Sequence, residues 1–510
     1  MIHPFRILFL LSMALALSVG AQTSEDYYRS GIAKDSLGDY NGAVKDFTKA
    51  LELNPQFSKA YNGRGLIKSR LKDYEGAISD FSKAIELNPK YDVAYNNRGL
   101  YRHMLADYKG ALEDYGKALA LDPKFIKVYV NRANAKDDMK DYKGALEDYN
   151  KALELDPKDA DTWYNLGVFK SKRGDDSSAF AIYNKAIELD PGYVMAYVNR
   201  GLIKDNRKDF KGAIGDYSKA IELDPRYVKA YNNRGVTRNQ AGDCLGAMED
   251  YNRAIELNPD YSDAYYNRGN LKDDQQDYRG ALLDYDKAIE LNPYNINAYN
   301  NRGNTKESLK DYDGAIDDFT KIIELNPQYA AAYNNRGLAK SRKGDYPAAL
   351  NDYGKAIELD PVYTGAYYNR ASLKYHLKDL KGALEDLNKV IALNPQSDQA
   401  YCNRGRTKWK MEDDKGALED FNKAIELNPQ FVLVYYTRAL FKNSSIEDDK
   451  GALEDFTKAI ELKPDFAEAY FERARVWIFT GDKAEGCADL KRAGELGMKE
   501  AAGKIKEYCQ

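Results

Sequence analysis

The chain has 510 residues, with 76 basic and 80 acidic side chains and a formal net charge of -4, so no field of one sign marks nucleic acid or an anionic membrane as a partner. Its 42 Tyr stand against 3 His, and with His3 in a leader segment only His103 and His376 remain, far apart in sequence, for acid–base or metal chemistry. That scarcity argues against a histidine-based active site.

Residues 1–21 carry Arg6, an apolar run from Ile7 to Val19, and the small residues of Val19-Gly20-Ala21, the three-part layout of a secretory signal cleaved after Ala21. The apolar run of 13 residues is shorter than the roughly 20 that a helix needs to cross a bilayer. No Cys adjoins the cleavage point to take a lipid, and no second apolar stretch of membrane length follows. The expected mature chain is soluble and exported, periplasmic or secreted, with no integral membrane segment.

From there the chain repeats itself. Prolines at 55, 89, 123, 157, 191, 225, 259, 293, 327, 361, 395 and 429 lie 34 residues apart, and Pro464 follows after 35, a spacing that tandem duplication produces. Around each proline the same pattern recurs, as in Tyr95 to Gly99, Asp107 to Ala111, Asp114 to Ala118 and Leu121 to Pro123. Tyr95, Gly99 and Arg102 share helical spacing, as do Ala111, Tyr115, Ala118 and Leu119, while Asp107 to Gly110 interrupts the pattern between them. The proline ends the second helix, so each unit reads as two helices and two turns. Small residues such as Gly65, Ala77 and Ala84 let the two helices approach, and Phe81 fills the space between neighbouring units.

This pattern resembles the tetratricopeptide repeat family, whose helix-turn-helix unit carries an aromatic, a Gly, an Ala, an aromatic, an Ala and a closing Pro at these separations. In the second unit they are Tyr61, Gly65, Ala77, Phe81, Ala84 and Pro89. The likeness runs from about Ser24 to Leu496, thirteen full units and a degenerate fourteenth. It implies an all-α fold, a right-handed α-α superhelix (solenoid) stabilised by stacking of units that cannot bury their apolar faces alone. The expected layout is a signal peptide at 1–21, the repeat array at 22–496 and a capping helix at 497–510, with Met498, Ala501, Ala502, Ile505 and Tyr508 on the capping face.

One column departs from the family pattern. Three residues after the core Tyr, most units place Arg, among them Arg64, Arg98, Arg132, Arg200, Arg234 and Arg268, facing the interior. A buried guanidinium needs a carboxylate, and the second helix offers Asp80, Asp114, Asp148, Asp216, Asp250 and Asp284 in register. The expected structural ion pairs are therefore Arg98 with Asp114, Arg132 with Asp148, Arg200 with Asp216, and their equivalents. The fifth unit loses both partners together, to Leu166 and Ile182. The first unit has Ser30 but keeps Asp46, which an end position leaves to water.

One residue ahead of each Arg runs a column of asparagines: Asn97, Asn131, Asn165, Asn199, Asn233, Asn267, Asn301, Asn335, Asn369 and Asn403, flanked by Gly63 and Thr437. Its helical phase points away from the core stripe, toward the concave side of a superhelix. A carboxamide pairs with both the N–H and the C=O of an extended backbone, and such columns in the family imply peptide capture. Copies too young to have diverged, or bonds to a neighbouring helix, would also preserve the column. Against youth, the inner positions Lys59, Val93, Lys127, Asp161, Met195, Lys229 and Asp263 have diverged freely. These, with Asp137-Asp138, Asp273-Asp274, Arg342, Tyr375, Arg406, Trp409 and Lys410, are placed to set partner preference, or form a solvated face.

Cys487 and Cys509 lie on helices that a hairpin brings within disulfide reach in an oxidising compartment; bridged and unpaired states both stand. Cys244 and Cys402 read as lone thiols, and no cysteine spacing suggests zinc or redox chemistry. No phosphate loop, dinucleotide fingerprint, nucleophile elbow or zinc helix occurs, so no enzyme, cofactor or metal is expected and a small-molecule ligand is disfavoured. The leading reading is a scaffold that grips a protein or peptide. The alternatives are an architectural factor that binds through its convex face, and a carbohydrate-handling protein with a tyrosine-rich lumen.

Overall fold

The computed structural model describes residues 22–509; the expected signal segment, 1–21, lies outside them. Among the described residues there are 29 helices and no strand. They form helix pairs in sequence order, from Ser24–Ser36 with Tyr40–Leu53 to Ala467–Phe479 with Lys483–Glu495, followed by a single helix, Lys499–Tyr508. The pairs are numbered here as repeats 1 to 14.

Each turn follows from local chemistry. Between the two helices of repeat 2, Lys72 takes a left-handed φ of 66°, and the Asp73 N–H donates back to the Lys68 carbonyl at 2.9 Å, closing the first helix. Asp73 then caps the second helix by accepting from the Gly76 N–H at 2.9 Å. Glycine lets the carboxylate close in, since a Cβ on Gly76 would lie 2.1 Å from an Asp73 oxygen; where Ser178, Ala348 or Glu485 stands instead, the capping bond lengthens to 3.2–3.3 Å. At the far end Asn88 accepts from the Lys90 N–H at 3.2 Å, and Pro89, without an N–H, stops the helix.

The two helices of a repeat meet where glycine faces a ring: a Cβ on Gly65 would lie 2.8 Å from the Phe81 ring. Ala77, Phe81 and Ala84 are fully buried. Each such ring contributes roughly 1.5–3 kcal/mol by leaving water, too little for one hairpin alone, and the adjacent repeat completes the burial. Contacts divide the chain into two bodies, one ending at Asp250 and one beginning at Tyr251. In the first, Ala111, Tyr115, Ala118 and Leu119 of repeat 3 share a core with Val128 and Ala135 of repeat 4. In the second, Ala288 and Ile289 of repeat 8 join Ala298, Tyr299 and Phe319 of repeat 9 and Ala332 of repeat 10.

The last helix starts at Lys499, two residues later than its apolar spacing suggests, because Gly497 adopts a left-handed φ of 94° and ends the preceding helix. It buries Ala501. A disulfide between Cys487 and Cys509, whose Cα atoms are 5.6 Å apart, fastens its end to the second helix of repeat 14. Cys244 and Cys402 are thiols, and burial pushes the Cys402 thiol up to about 12.

The disulfide closes a loop across a sequence separation of 22, worth about 3 kcal/mol of restricted unfolded-state entropy. Cys509→Ser is therefore expected to lose amide protection in 499–508 in a hydrogen-exchange experiment, with protection elsewhere in the second body retained.

Candidate functional site

Beneath the asparagine column lies a repeated cluster of charges. Arg98 donates two bonds to Asp114, from Nε at 2.9 Å and from Nη2 at 2.6 Å. Arg132 makes the same pair with Asp148, at 2.8 and 2.6 Å, and Arg200 with Asp216, at 2.9 and 2.6 Å. The carboxylates are buried, and this forked geometry is the strongest that guanidinium and carboxylate can form. For Arg64, Arg370 and Arg404, the hydrogen bonds donated to Asp80, Asp386 and Asp420 outweigh burial and raise the guanidinium above its ordinary value.

Sequence reasoning found the pair but missed its other partners. A second cation, one turn beyond the Arg, shares the carboxylate: Lys68 on Asp80 at 2.8 Å, Arg102 on Asp114 at 2.9 Å, Lys136 on Asp148 at 2.7 Å, Lys204 on Asp216 at 2.8 Å. The signal was legible, since Lys or Arg stands four residues after Arg in these copies. The remaining guanidinium nitrogen reaches the preceding repeat, as Arg98 Nη1 to Ser82 at 3.1 Å and Arg200 Nη1 to Asn184 at 2.7 Å. Arg132 and Arg370, which follow repeats with Gly116 and Gly354 at that position, have no side chain there to reach. Each Arg also lies over the Tyr of its own helix, with Cζ 5.7 Å from the Tyr95 centroid in repeat 3 and 5.3 Å from Tyr197 in repeat 6.

Two copies differ. In repeat 5, Leu166 and Ile182 occupy the place of the pair and pack with Tyr149, while Lys170 turns to Asp175 at 3.4 Å. In repeat 1, Asp46 is not left to water as expected. Ser30 donates to it at 2.6 Å and Lys34 pairs with it at 2.7 Å; burial opposes its charge, yet these two bonds hold its carboxyl below the ordinary value.

The asparagines themselves are mostly half-buried at the seam between successive first helices, and they bond across it. Asn97 donates to Asn62 at 3.0 Å, Asn131 to Asn96 at 2.9 Å, Asn335 to Asn300 at 3.2 Å and Asn369 to Asn334 at 2.9 Å. Where the accepting position holds Tyr, the phenol oxygen accepts: Asn199 to Tyr164 at 3.2 Å, Asn301 to Tyr266 at 3.3 Å, Asn403 to Tyr368 at 2.7 Å. Asn165 and Asn233 meet Val130 and Val198 at that position in the preceding repeat. Asn165 turns to its own helix, donating to the Asp161 carbonyl at 2.8 Å, and Asn233 accepts from Asn232 at 3.4 Å. Asn267 is half-buried on the first helix of repeat 8. The residue just before each Asn thus decides whether the next amide is tied, a dependence hidden when columns are read one at a time.

Several charges expected to set partner preference are engaged internally. Asp137 is buried and paired with Arg173, Asp138 bonds His103 at 2.7 Å, and Asp273 accepts from Thr305 at 2.6 Å. Arg342 pairs with Glu307 at 3.3 Å, Arg406 stacks over Tyr375 at 5.3 Å, and Trp409 donates to Ser445 at 2.6 Å beneath Lys410.

Family models described as tetratricopeptide repeat match residues 27–57, 58–91, 160–193, 262–295, 296–329, 330–363, 364–397 and 399–431, and one described as TPR repeat matches 138–172, 206–242 and 238–272. No curated protein matches the chain. Among solved structures, the chain is similar to MamA at 29% identity over 33% of this chain and 92% of that one, with a TM-score of 0.31. It is similar to the APC/C hetero-tetramer Cut9-Hcn1 at 14% identity over 98% and 99%, with a TM-score of 0.48, and to yeast Tom70 at 21% over 86% and 95%, with a TM-score of 0.38.

Removing one member of a buried pair strands the other. Arg200→Leu is expected to cost about 3–5 kcal/mol in urea unfolding of the first body, whereas Arg200→Leu with Asp216→Ile, which copies repeat 5, returns most of that loss. A double variant no more stable than the single one would show that the carboxylate is not held by the guanidinium.

Proposed function

The chain belongs to the tetratricopeptide repeat family, whose repeats form scaffolds for protein–protein interaction, and on that premise we propose an exported, non-enzymatic scaffold that grips an extended segment of a protein partner along its asparagine column. The observation that carries this reading is the state of the amides. Asn97, Asn131, Asn335, Asn369 and Asn403 each spend one N–H on the preceding repeat, whereas Asn199 and Asn301 spend both, on Tyr164 with Tyr183 and on Tyr266 with Asn270. In the singly tied amides the second N–H and at least one lone pair of the oxygen remain, the two groups that an extended backbone's C=O and N–H pair with. Because the first bond already fixes the rotamer, binding costs less side-chain entropy than it would for a mobile Asn.

A column with one amide per repeat suits a polymer with a regular backbone, and it reads direction without reading side chains. Side-chain preference then falls to the positions that vary between repeats. Export to the periplasm or the medium is supported by the layout of residues 1–21 and by the Cys487–Cys509 disulfide, a bond that persists in oxidising compartments.

The test uses the chain from residue 22 onward and short unstructured peptides selected on it from a random library. Changing Asn97 and Asn131 together to Ala is expected to weaken the selected peptides at least about ten-fold in biolayer interferometry, with helical circular dichroism unchanged. Equal affinity for the variant rejects the column as the grip. Export is checked by the N-terminus of the protein recovered outside the cytoplasm, which is expected to be Gln22; an uncut cytoplasmic chain rejects it.

A further inference from the structure

At the end of most repeats, two residues past the proline, stands an aromatic ring, and in repeats 1, 5 and 13 it completes a cluster of three tilted rings. The tyrosine two residues ahead of the Arg column packs between the ring of the second helix and this closing ring. Tyr28 lies 5.7 Å from Phe47 and 4.9 Å from Phe57, Tyr164 lies 6.0 Å from Tyr183 and 5.0 Å from Tyr193, and Tyr436 lies 5.9 Å from Phe456 and 4.9 Å from Phe466. In repeat 5 the closing Tyr193 also donates its hydroxyl to Asp161 at 2.7 Å.

Repeat 8 has every part of that arrangement except the closing ring. Tyr266 lies 6.3 Å from Tyr285, and Asp263 holds the position that Asp161 holds in repeat 5. The closing residue, however, is Asn295, whose side chain accepts from the Ala298 N–H at 3.1 Å and so is turned onto the start of the next helix. A groove of about 570 Å³ opens there, lined by Asp263, Tyr266, Asn292, Tyr294, Asn297 and Tyr329 among others. Tyr294 is 78% exposed and Tyr329 37% exposed. Repeat 11 makes a similar exchange, Tyr368 with Ser397, but has Gln396 where repeat 8 has Tyr294.

We infer that this groove is a socket for a tyrosine side chain supplied by the partner, whose ring stacks on Tyr266 and whose hydroxyl donates to Asp263, as Tyr193 does with Tyr164 and Asp161 inside repeat 5. The chain thus shows in one repeat the occupant that it lacks in another. Phenylalanine fits the ring face but leaves Asp263 without the donor, and phosphotyrosine sets an anion against that carboxylate. A ring sandwiched in this way gains offset or tilted aromatic contact beyond simple burial, and the exposed Tyr294 and Tyr329 add apolar wall. That the tyrosine is carried by an extended segment rests on the reading proposed above; the socket is tested apart from it.

The probes are N-acetyl-L-tyrosinamide, N-acetyl-L-phenylalaninamide and methyl glucoside, each followed by saturation-transfer NMR with the chain from residue 22 onward. Transfer to the tyrosinamide ring protons is expected, stronger than to phenylalaninamide. Asn295→Tyr, which fills the socket from within as repeat 5 does, is expected to abolish it without lowering the melting temperature by more than a few degrees, because a single helix cap is lost. Asp263→Ala, which removes the acceptor, is expected to erase the preference for tyrosine over phenylalanine. Absence of transfer to tyrosinamide, transfer that survives Asn295→Tyr, or transfer to the glucoside in its place overturns the socket. Library peptides that bind through the asparagine column but show no tyrosine preference overturn the socket and leave the column standing; tyrosinamide bound by a chain that selects no peptide overturns the column and leaves the socket.

Discussion

A carboxylate held between two helices is the constraint from which the rest of every repeat but the fifth follows. Asp114 sits at 2% exposure, and an isolated charge at that depth would cost several kcal/mol. It is held by Arg98 and Arg102 together, which fixes two cations one turn apart on the first helix. Those in turn fix the helix's rotation, because a rotation of one residue would swing both away from the acid. With that phase set, Tyr95 lies under the guanidinium, Gly99 faces the ring of Tyr115, and the residue before Arg falls on the seam with the preceding repeat.

The same cluster ties one hairpin to the next. A guanidinium that spends two nitrogens on its own Asp and a third on Ser82 or Asn184 couples the internal geometry of one repeat to its neighbour, in an architecture where stability comes from such nearest-neighbour terms. Repeat 5 shows that the cluster can be replaced as a whole by Leu166 and Ile182 within an apolar core. The Asp is kept without the Arg only in repeat 1 of the described repeats, where Ser30 and Lys34 are supplied to Asp46.

Above this frame, function is carried by positions that the frame leaves open. The amide column is regular, so it suits the regular part of a bound chain, its backbone. Individuality comes from the exchanges at repeat ends, where a residue either closes the aromatic stack or caps the following helix. Asn295 takes the second role and thereby uncovers Tyr266. A cap stabilises by about 1 kcal/mol, which offsets part of what a closing ring contributes, so such exchanges are tolerated by the fold while changing what the surface offers.

The helix pairs, their turns and the Arg–Asp pairs were legible in the sequence, because periodicity and registered substitutions such as Leu166 with Ile182 record contacts within one repeat. Bonds between repeats were not. That Asp137 is spent on Arg173, that Asn199 ties to Tyr164 while Asn165 turns back on its own helix, and that Asn295 opens a groove all depend on which residue of one repeat meets which residue of the next. The sequence by itself determined the unit, since helix phase and proline position are local properties that each copy states in full. Only the tertiary structure decided which amides are tied, which charges are paired and where a ring is missing, because those are properties of the stack, set by distances across a seam that no single repeat contains.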